Sequence, residues 1–155
     1  MTMGPLTSFL YSDQDFFASG KLRPQSDSEG TGREPIRVLV VDDEMRIADT
    51  TAEVLQTAGF DARAAYTGAA ALKLATAFRP DCLLTDVVMQ GMNGVDLALE
   101  FRKLMPSARV VLISGQVGVS DILDAAASQG IDFEVLAKPI LPRMLIEHLR
   151  VKPRP

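Results

Sequence analysis

Five side chains stand out for the chemistry that their types and spacing permit. Asp42 and Asp43 are adjacent, Asp86 lies 43 residues after Asp43, Ser114 lies 28 residues further on, and Lys138 another 24. Each ends an apolar run: residues 36–41 precede the acidic pair, 82–85 precede Asp86, 110–113 precede Ser114 and 133–137 precede Lys138. If these runs are parallel strands of one sheet, their carboxyl ends share an edge, where ligands bind in open α/β sheets. Three carboxylates, a hydroxyl and an ammonium then meet in one crevice. Carboxylates crowded in this way repel, and one of them protonates unless a cation is present. Mg²⁺ suits such a site, because it prefers oxygen ligands, keeps waters and accepts carboxylates together with phosphate oxygens. A carboxylate can also attack phosphorus and form an acyl phosphate. Mg²⁺, the Lys138 ammonium and the Ser114 hydroxyl are groups that stabilise the resulting dianion.

The elements that must position these residues follow from periodicity. Residues 36–41 form a β-branched run, after which Ile47, Val54, Leu55 and Ala58 recur at helical spacing and Gly59 offers a C-terminal cap. Residues 60–65 read as a second strand and 68–78 as an Ala- and Leu-rich helix closed by Arg79-Pro80. A third strand, 82–85, leads to Asp86 and a loop with Gly91 and Gly94; Leu97, Phe101 and Leu104 then mark a helix stopped by Pro106. After the fourth strand, Ser120 is the expected cap of a helix running to Gly130. After the fifth, Pro142 is suited to the first position of a last helix that reaches Leu149. Strands alternating with helices predict a parallel sheet covered on both faces. The near-continuous apolar strands agree, since such strands are buried on both sides.

Composition narrows the rest. The chain has 155 residues, a formal net charge of −4 and a pI near 5.0, which argues against the basic footprint of a nucleic-acid binder. Its single cysteine, Cys82, excludes a disulfide framework and a cysteine-based zinc site. No apolar run approaches the roughly 18 residues of a membrane span, and the N-terminus does not read as a signal peptide. These features predict a cytoplasmic protein without membrane contact. Residues 1–34 are punctuated by Gly, Pro, Ser and Asp and read as a disordered extension, although Phe9, Leu10, Tyr11, Phe16 and Phe17 offer a short apolar segment. Gly20-Lys21 lacks the upstream glycine of a phosphate-binding P-loop. The folded domain is expected over 35–150, with 151–155 a short tail.

The segments VLVVDDE, LLTDVVMQGMNG, VLISG and LAKP, in that order, resemble the signature blocks of response-regulator receiver domains. The resemblance covers about residues 36–150. It implies a flavodoxin-like (βα)5 three-layer sandwich, with a five-stranded parallel sheet of order 2-1-3-4-5. It implies that Asp86 accepts a phosphoryl group from a histidine kinase or histidine phosphotransfer protein. Asp42 and Asp43 resemble the acidic pair that holds Mg²⁺, with Asp43 the more direct ligand and the Val88 backbone carbonyl a further one. Ser114 resembles the hydroxyl that swings toward the phosphoryl group. Lys138 resembles the lysine that pairs with a phosphoryl oxygen, with a cis bond to Pro139. The implied protein is a switch and not an enzyme on external substrates. Because the sequence ends soon after the last helix, the expectation is a stand-alone receiver whose output passes through a partner protein.

Two departures from the family pattern stand out. Gln90 occupies a position where the family often has Pro, which predicts a looser loop. Val135 occupies the place of a rotating aromatic residue, with Phe133 two residues earlier. Val88 and Gln116 resemble positions that tune hydrolysis of the acyl phosphate. Taken singly, the residues have plainer readings: the Asp pair as a helix cap, Ser114 as a turn residue, Lys138 as a surface lysine and Cys82 as buried packing. His148 reads as a surface or packing residue. Two rival functions remain open at this point. One is a phosphate-independent binding module. The other is an aspartyl phosphatase, which needs a D-x-D-x-T loop where this chain has Asp42-Asp43-Glu44.

Overall fold

The computed structural model describes residues 34–115, 119–128, 130 and 133–151. The apolar segment at 9–17, Gly20-Lys21, Gln116 and all of the tail beyond Val151 lie outside the described residues. Residues 35–155 form one compact unit. Its strands and helices alternate in the order β1 (Arg37–Val41), α1 (Met45–Thr57), β2 (Asp61–Ala65), α2 (Gly68–Phe78), β3 (Cys82–Asp86), α3 (Gly94–Leu104), β4 (Arg109–Ser114), α4 (Val119–Ser128), β5 (Glu134–Ala137) and α5 (Pro142–Arg150). All neighbouring strands pair in parallel, and their order is β2-β1-β3-β4-β5, as the family resemblance implies.

Alternation along each strand divides the core in two. Leu39, Val41, Leu83, Val110 and Leu112 face α2 and α3, where they meet Ala71, Ala75, Leu97, Ala98 and Phe101. Val38, Val40, Cys82, Leu84 and Val111 face the other way, against Ala48, Ala52, Leu55, Leu145 and Leu149. Burying Leu or Val side chains contributes about 1.5–3 kcal/mol each, so the central strands carry the fold. Cys82 is inside this second layer, and burial pushes its thiol up to about 12. It is a packing residue rather than a reactive one.

Local chemistry sets the ends of the helices. The Thr67 hydroxyl accepts from the Ala70 amide at 3.0 Å, and Asn93 Oδ1 accepts from the Asp96 amide at 2.8 Å. Pro142 starts α5 as expected. Gly59, at φ 100°, ends α1 in the left-handed conformation that glycine adopts without a Cβ penalty.

Several boundaries differ from the sequence reading. The buried face of α1 is Ala48, Ala52 and Leu55, whereas Ile47 is exposed. Small alanines let α1 sit close to the sheet, and Ile47 is left lining a cleft. Phe60 precedes β2 because its amide still donates to Leu55 at the end of α1. Leu104 is exposed, and the buried residue after α3 is Met105. Ser120 lies within α4 rather than capping it.

At the amino ends of β4 and β5, Arg109 forms a bidentate pair with Glu134, at 2.7 and 2.8 Å. The same guanidinium donates to the carbonyls of His148, Leu149 and Val151, and His148 Nε2 meets Glu134 at 2.8 Å. This cluster ties both strands to the end of α5. Hydrogen bonding from Arg109 holds the Glu134 carboxyl below its ordinary value of 4.5, against an opposing effect of burial. A depressed carboxylate contributes stability that is present above its unfolded value and is lost as pH falls through the folded one. Glu134→Gln is therefore expected to cost about 1–3 kcal/mol at neutral pH. That deficit should shrink as the medium is taken below pH 4.5, which urea unfolding at several pH values measures.

At the other end of the sheet, the start of α3 lies against the end of β3. The Gly94 amide donates to the Val87 carbonyl at 2.7 Å, and a Cβ at position 94 would strike the Asp86 carbonyl oxygen and Val87 Cα. Backbone cannot yield as a flexible side chain can. Gly94→Ala should lower stability by about 1–3 kcal/mol, read as a fall in the thermal midpoint. An unchanged midpoint would contradict this packing.

Candidate functional site

The carboxyl ends of β1, β3, β4 and β5 lie along one rim, and register decides what meets there. Val41 pairs with Thr85, Asp86 with Ile113, and Ser114 with Ala137. The residues just past β1 and β5, Asp42 and Lys138, therefore flank Asp86. One carboxylate oxygen from each of Asp42, Asp43 and Asp86 falls within 4.8 Å of the others. Lys138 Nζ is 3.4 Å from Asp86 Oδ1. Among the described residues, it is the cluster's one ion pair.

Each acid is held differently. Asp42 is buried and accepts from the Glu44 amide at 2.9 Å. Burial pushes its carboxyl above the ordinary value, the Glu44 amide opposes that rise, and the nearby Asp86 charge reinforces it. Asp86 is half-buried at the end of its strand. The Thr85 hydroxyl beneath it donates to the Asp86 carbonyl at 3.0 Å and lies 3.9 Å from the Met89 sulfur. Asp43 is exposed and accepts from the Gln90 amide at 3.0 Å. In this conformation the loop that carries Gln90 is hydrogen-bonded through Gln90 to Asp43 and through Gly94 to Val87.

Lys138 reaches the rim across Gly115, where an added Cβ would come within 3.1 Å of the lysine Cβ and Cδ. The Lys138 amide donates to the Ser114 carbonyl at 2.9 Å, and the following bond to Pro139 is cis, as expected. Ser114 stands on the same rim, but among the described residues its hydroxyl has no hydrogen bond to Asp86. Val88 is exposed, and its carbonyl accepts no hydrogen bond from the described residues. Asp42, Asp86, Val88, Gly115 and Lys138 open onto a cleft of about 680 Å³ that continues between α1 and the start of α5.

The donor set is all oxygen. Two exposed or half-buried carboxylates, one buried carboxylate and a free carbonyl suit a hard divalent ion that keeps waters, and do not suit a soft metal. The sequence reading found every charged member of this cluster. It placed Gly94 and Gly115 in the loop and signature blocks but not the close approaches they admit, and it did not find the Gln90 amide. Spacing reveals side chains, whereas these contributions come from backbone.

At β5 the structure separates Val135 from Phe133. Val135 is 42% exposed on the strand, with no ring to reorient. Phe133 is packed against the core near α3, with the Arg102 guanidinium 5.3 Å from its ring centre. It therefore does not stand in for an aromatic at position 135.

Comparison with known proteins agrees with this geometry. The pattern of the response regulator receiver domain family matches residues 38–150. A response regulator receiver protein of Anaeromyxobacter sp. (strain Fw109-5) is 40% identical over 110 residues, covering 70% of this chain and 45% of that protein. The DNA-binding response regulator MtrA of Mycolicibacterium paratuberculosis is 30% identical over 118 residues, covering 76% of this chain and 51% of MtrA. The chain thus spans about half the length of these curated relatives. Among solved structures, a CheY-like receiver domain protein from Methanospirillum hungatei superposes with a TM-score of 0.67 at 26% identity, covering 76% of this chain and 92% of that one. The response regulator TrrA from Thermotoga maritima, solved in complex with Mg(2+)-BeF, gives 0.63 at 30% identity, covering 74% and 96%. No helix among the described residues is long and apolar enough to cross a membrane. Fold, rim and sequence relatives agree: the chain belongs to the response regulator receiver domain family.

Proposed function

We propose that this chain is a phosphorylation switch in which Asp86 accepts a phosphoryl group from a phosphohistidine on a histidine kinase or histidine phosphotransfer protein. The observation that carries the reading is the gathering of Asp42, Asp43 and Asp86 within 4.8 Å, with Lys138 at 3.4 Å from Asp86. An Asp86 carboxylate oxygen attacks phosphorus, a P–O bond forms, and the P–N bond to the donor imidazole breaks. The electron pair of that bond leaves with the imidazole nitrogen, and Asp86 becomes an acyl phosphate. Asp42, Asp43 and Asp86, with the Val88 carbonyl, are the residues that would hold Mg²⁺. When bound there, the ion offsets the carboxylate charge and that of the phosphoryl oxygens. The relative from Thermotoga maritima solved with Mg(2+)-BeF supports a divalent ion in a protein of this fold.

The remaining steps belong to the chain's own groups. Lys138 exchanges its contact with Asp86 Oδ1 for one with a phosphoryl oxygen, which keeps an ammonium beside the new charge. The Ser114 hydroxyl, unbonded to Asp86 before transfer, turns to donate to another phosphoryl oxygen. The segments after β4 and β5 then shift toward a second conformation, since each carries one of the groups that moves. The protein acts as a switch and turns over no external substrate. Output passes through contacts with a partner protein; DNA binding is named for MtrA, of which the matched region is about half.

Incubation with Mg²⁺ and acetyl phosphate, followed by intact-mass measurement, tests this reading. The expected result is the gain of one phosphoryl group, abolished in Asp86→Asn and by removal of Mg²⁺ with a chelator. Lys138→Ala should lower the yield at least about tenfold, as expected when a group that stabilises developing charge is removed. No gain in the wild-type protein, or a gain that persists in Asp86→Asn, would overturn it.

A further inference from the structure

The β1–α1 loop carries Asp43, and the β3–α3 loop carries Val88 and Gln90. Among the described residues, one hydrogen bond joins these two loops, from the Gln90 backbone N–H to Asp43 Oδ2 at 3.0 Å. Asp43 is the exposed member of the acidic cluster, while Asp42 is buried and bonded to its own helix start. A solvent-facing carboxylate on a short side chain rotates freely unless something fixes it. Among the described residues, the Gln90 amide is the one group given a hydrogen bond to Asp43. The Gln90 side chain is exposed and has no hydrogen bond among the described residues.

We infer that Gln90 is a positioning residue for the cation site, acting through its backbone N–H. The amide occupies one Asp43 oxygen, fixes the carboxylate plane and leaves the other oxygen for the cluster. The same bond sets the distance between the loop bearing Asp43 and the loop bearing the Val88 carbonyl. A hydrogen bond to a charged acceptor is stronger than one to a neutral group. Groups that hydrogen-bond metal-ligating carboxylates typically contribute 10–100-fold to metal affinity. Because this bond faces solvent, its contribution falls at the lower end of that range. The sequence departure at position 90 therefore has a physical content: proline, alone among the residues, has no N–H to give.

The inference rests on the proposed cation site, and the test separates the two. Isothermal titration of Mg²⁺ into the full chain compares the wild type with Gln90→Pro and Gln90→Ala. Alanine keeps the amide and removes only the side chain. Gln90→Pro should bind about tenfold more weakly than Gln90→Ala. Equal affinities of the two variants, with the wild type binding Mg²⁺, would overturn the inference and leave the site standing. No Mg²⁺ binding by the wild type would overturn the cation site itself, and this inference with it. A second measurement does not depend on how proline is accommodated. Exchange of the Gln90 amide proton, followed by NMR without Mg²⁺, should be several-fold slower in the wild type than in Asp43→Ala. Equal exchange rates would show that the amide is not held, and would also overturn the inference.

Discussion

The structure depends on holding three carboxylates together against their mutual repulsion. Asp42, Asp43 and Asp86 come from two strand ends more than forty residues apart in sequence, and the core forces them to the same rim. Each is restrained by a different contact: the Glu44 amide for Asp42, the Gln90 amide for Asp43, and the Lys138 ammonium for Asp86. A single ammonium against three carboxylates leaves the rim with excess negative charge. Burial pushes the Asp42 carboxyl up, the Glu44 amide opposes that rise, and the Asp86 charge adds to it. A protein that assembles such a cluster without a cation accepts a local instability, and a divalent ion removes it.

The rest of the fold acts as a frame for this cluster. The buried central strands β1 and β3 leave little freedom in the register that sets Asp42 beside Asp86. Gly94 lets α3 begin against the Asp86 backbone, and Gly115 lets Lys138 pass close to β4. At the far end of the sheet, the Arg109–Glu134 pair and its bonds to the end of α5 anchor the edge strand β5. One end of β5 is therefore fixed by charge, while the other carries Lys138 at the site. Val135 and Ala137, both exposed, lie between these two ends.

Much of this was legible in the sequence, for identifiable reasons. Strand and helix placement follow from apolar runs bounded by turn residues, the strand order came with the family resemblance, and the charged rim follows from what ends each run. The cis Lys138-Pro139 bond came with the family resemblance, since nothing in the two residues alone dictates it. The misreadings cluster where packing, not periodicity, decides. Ile47 shares the helical spacing of Val54, Leu55 and Ala58, yet Ala48, Ala52 and Leu55 form the buried face of α1, because a close helix–sheet contact favours small side chains. A pattern of residue types also says nothing of a backbone amide such as that of Gln90, which donates to Asp43. The family of the chain is settled by its relatives, while the roles of the individual rim residues rest on the geometry and chemistry argued above.

The most direct test of the central claim is crystallographic. Crystals of the full chain soaked in Mn²⁺, a stand-in for Mg²⁺ with an anomalous signal, should show a single strong anomalous peak bounded by Asp42, Asp43 and Asp86. A peak elsewhere on the surface with none at this rim, or no peak at saturating Mn²⁺, would contradict the account.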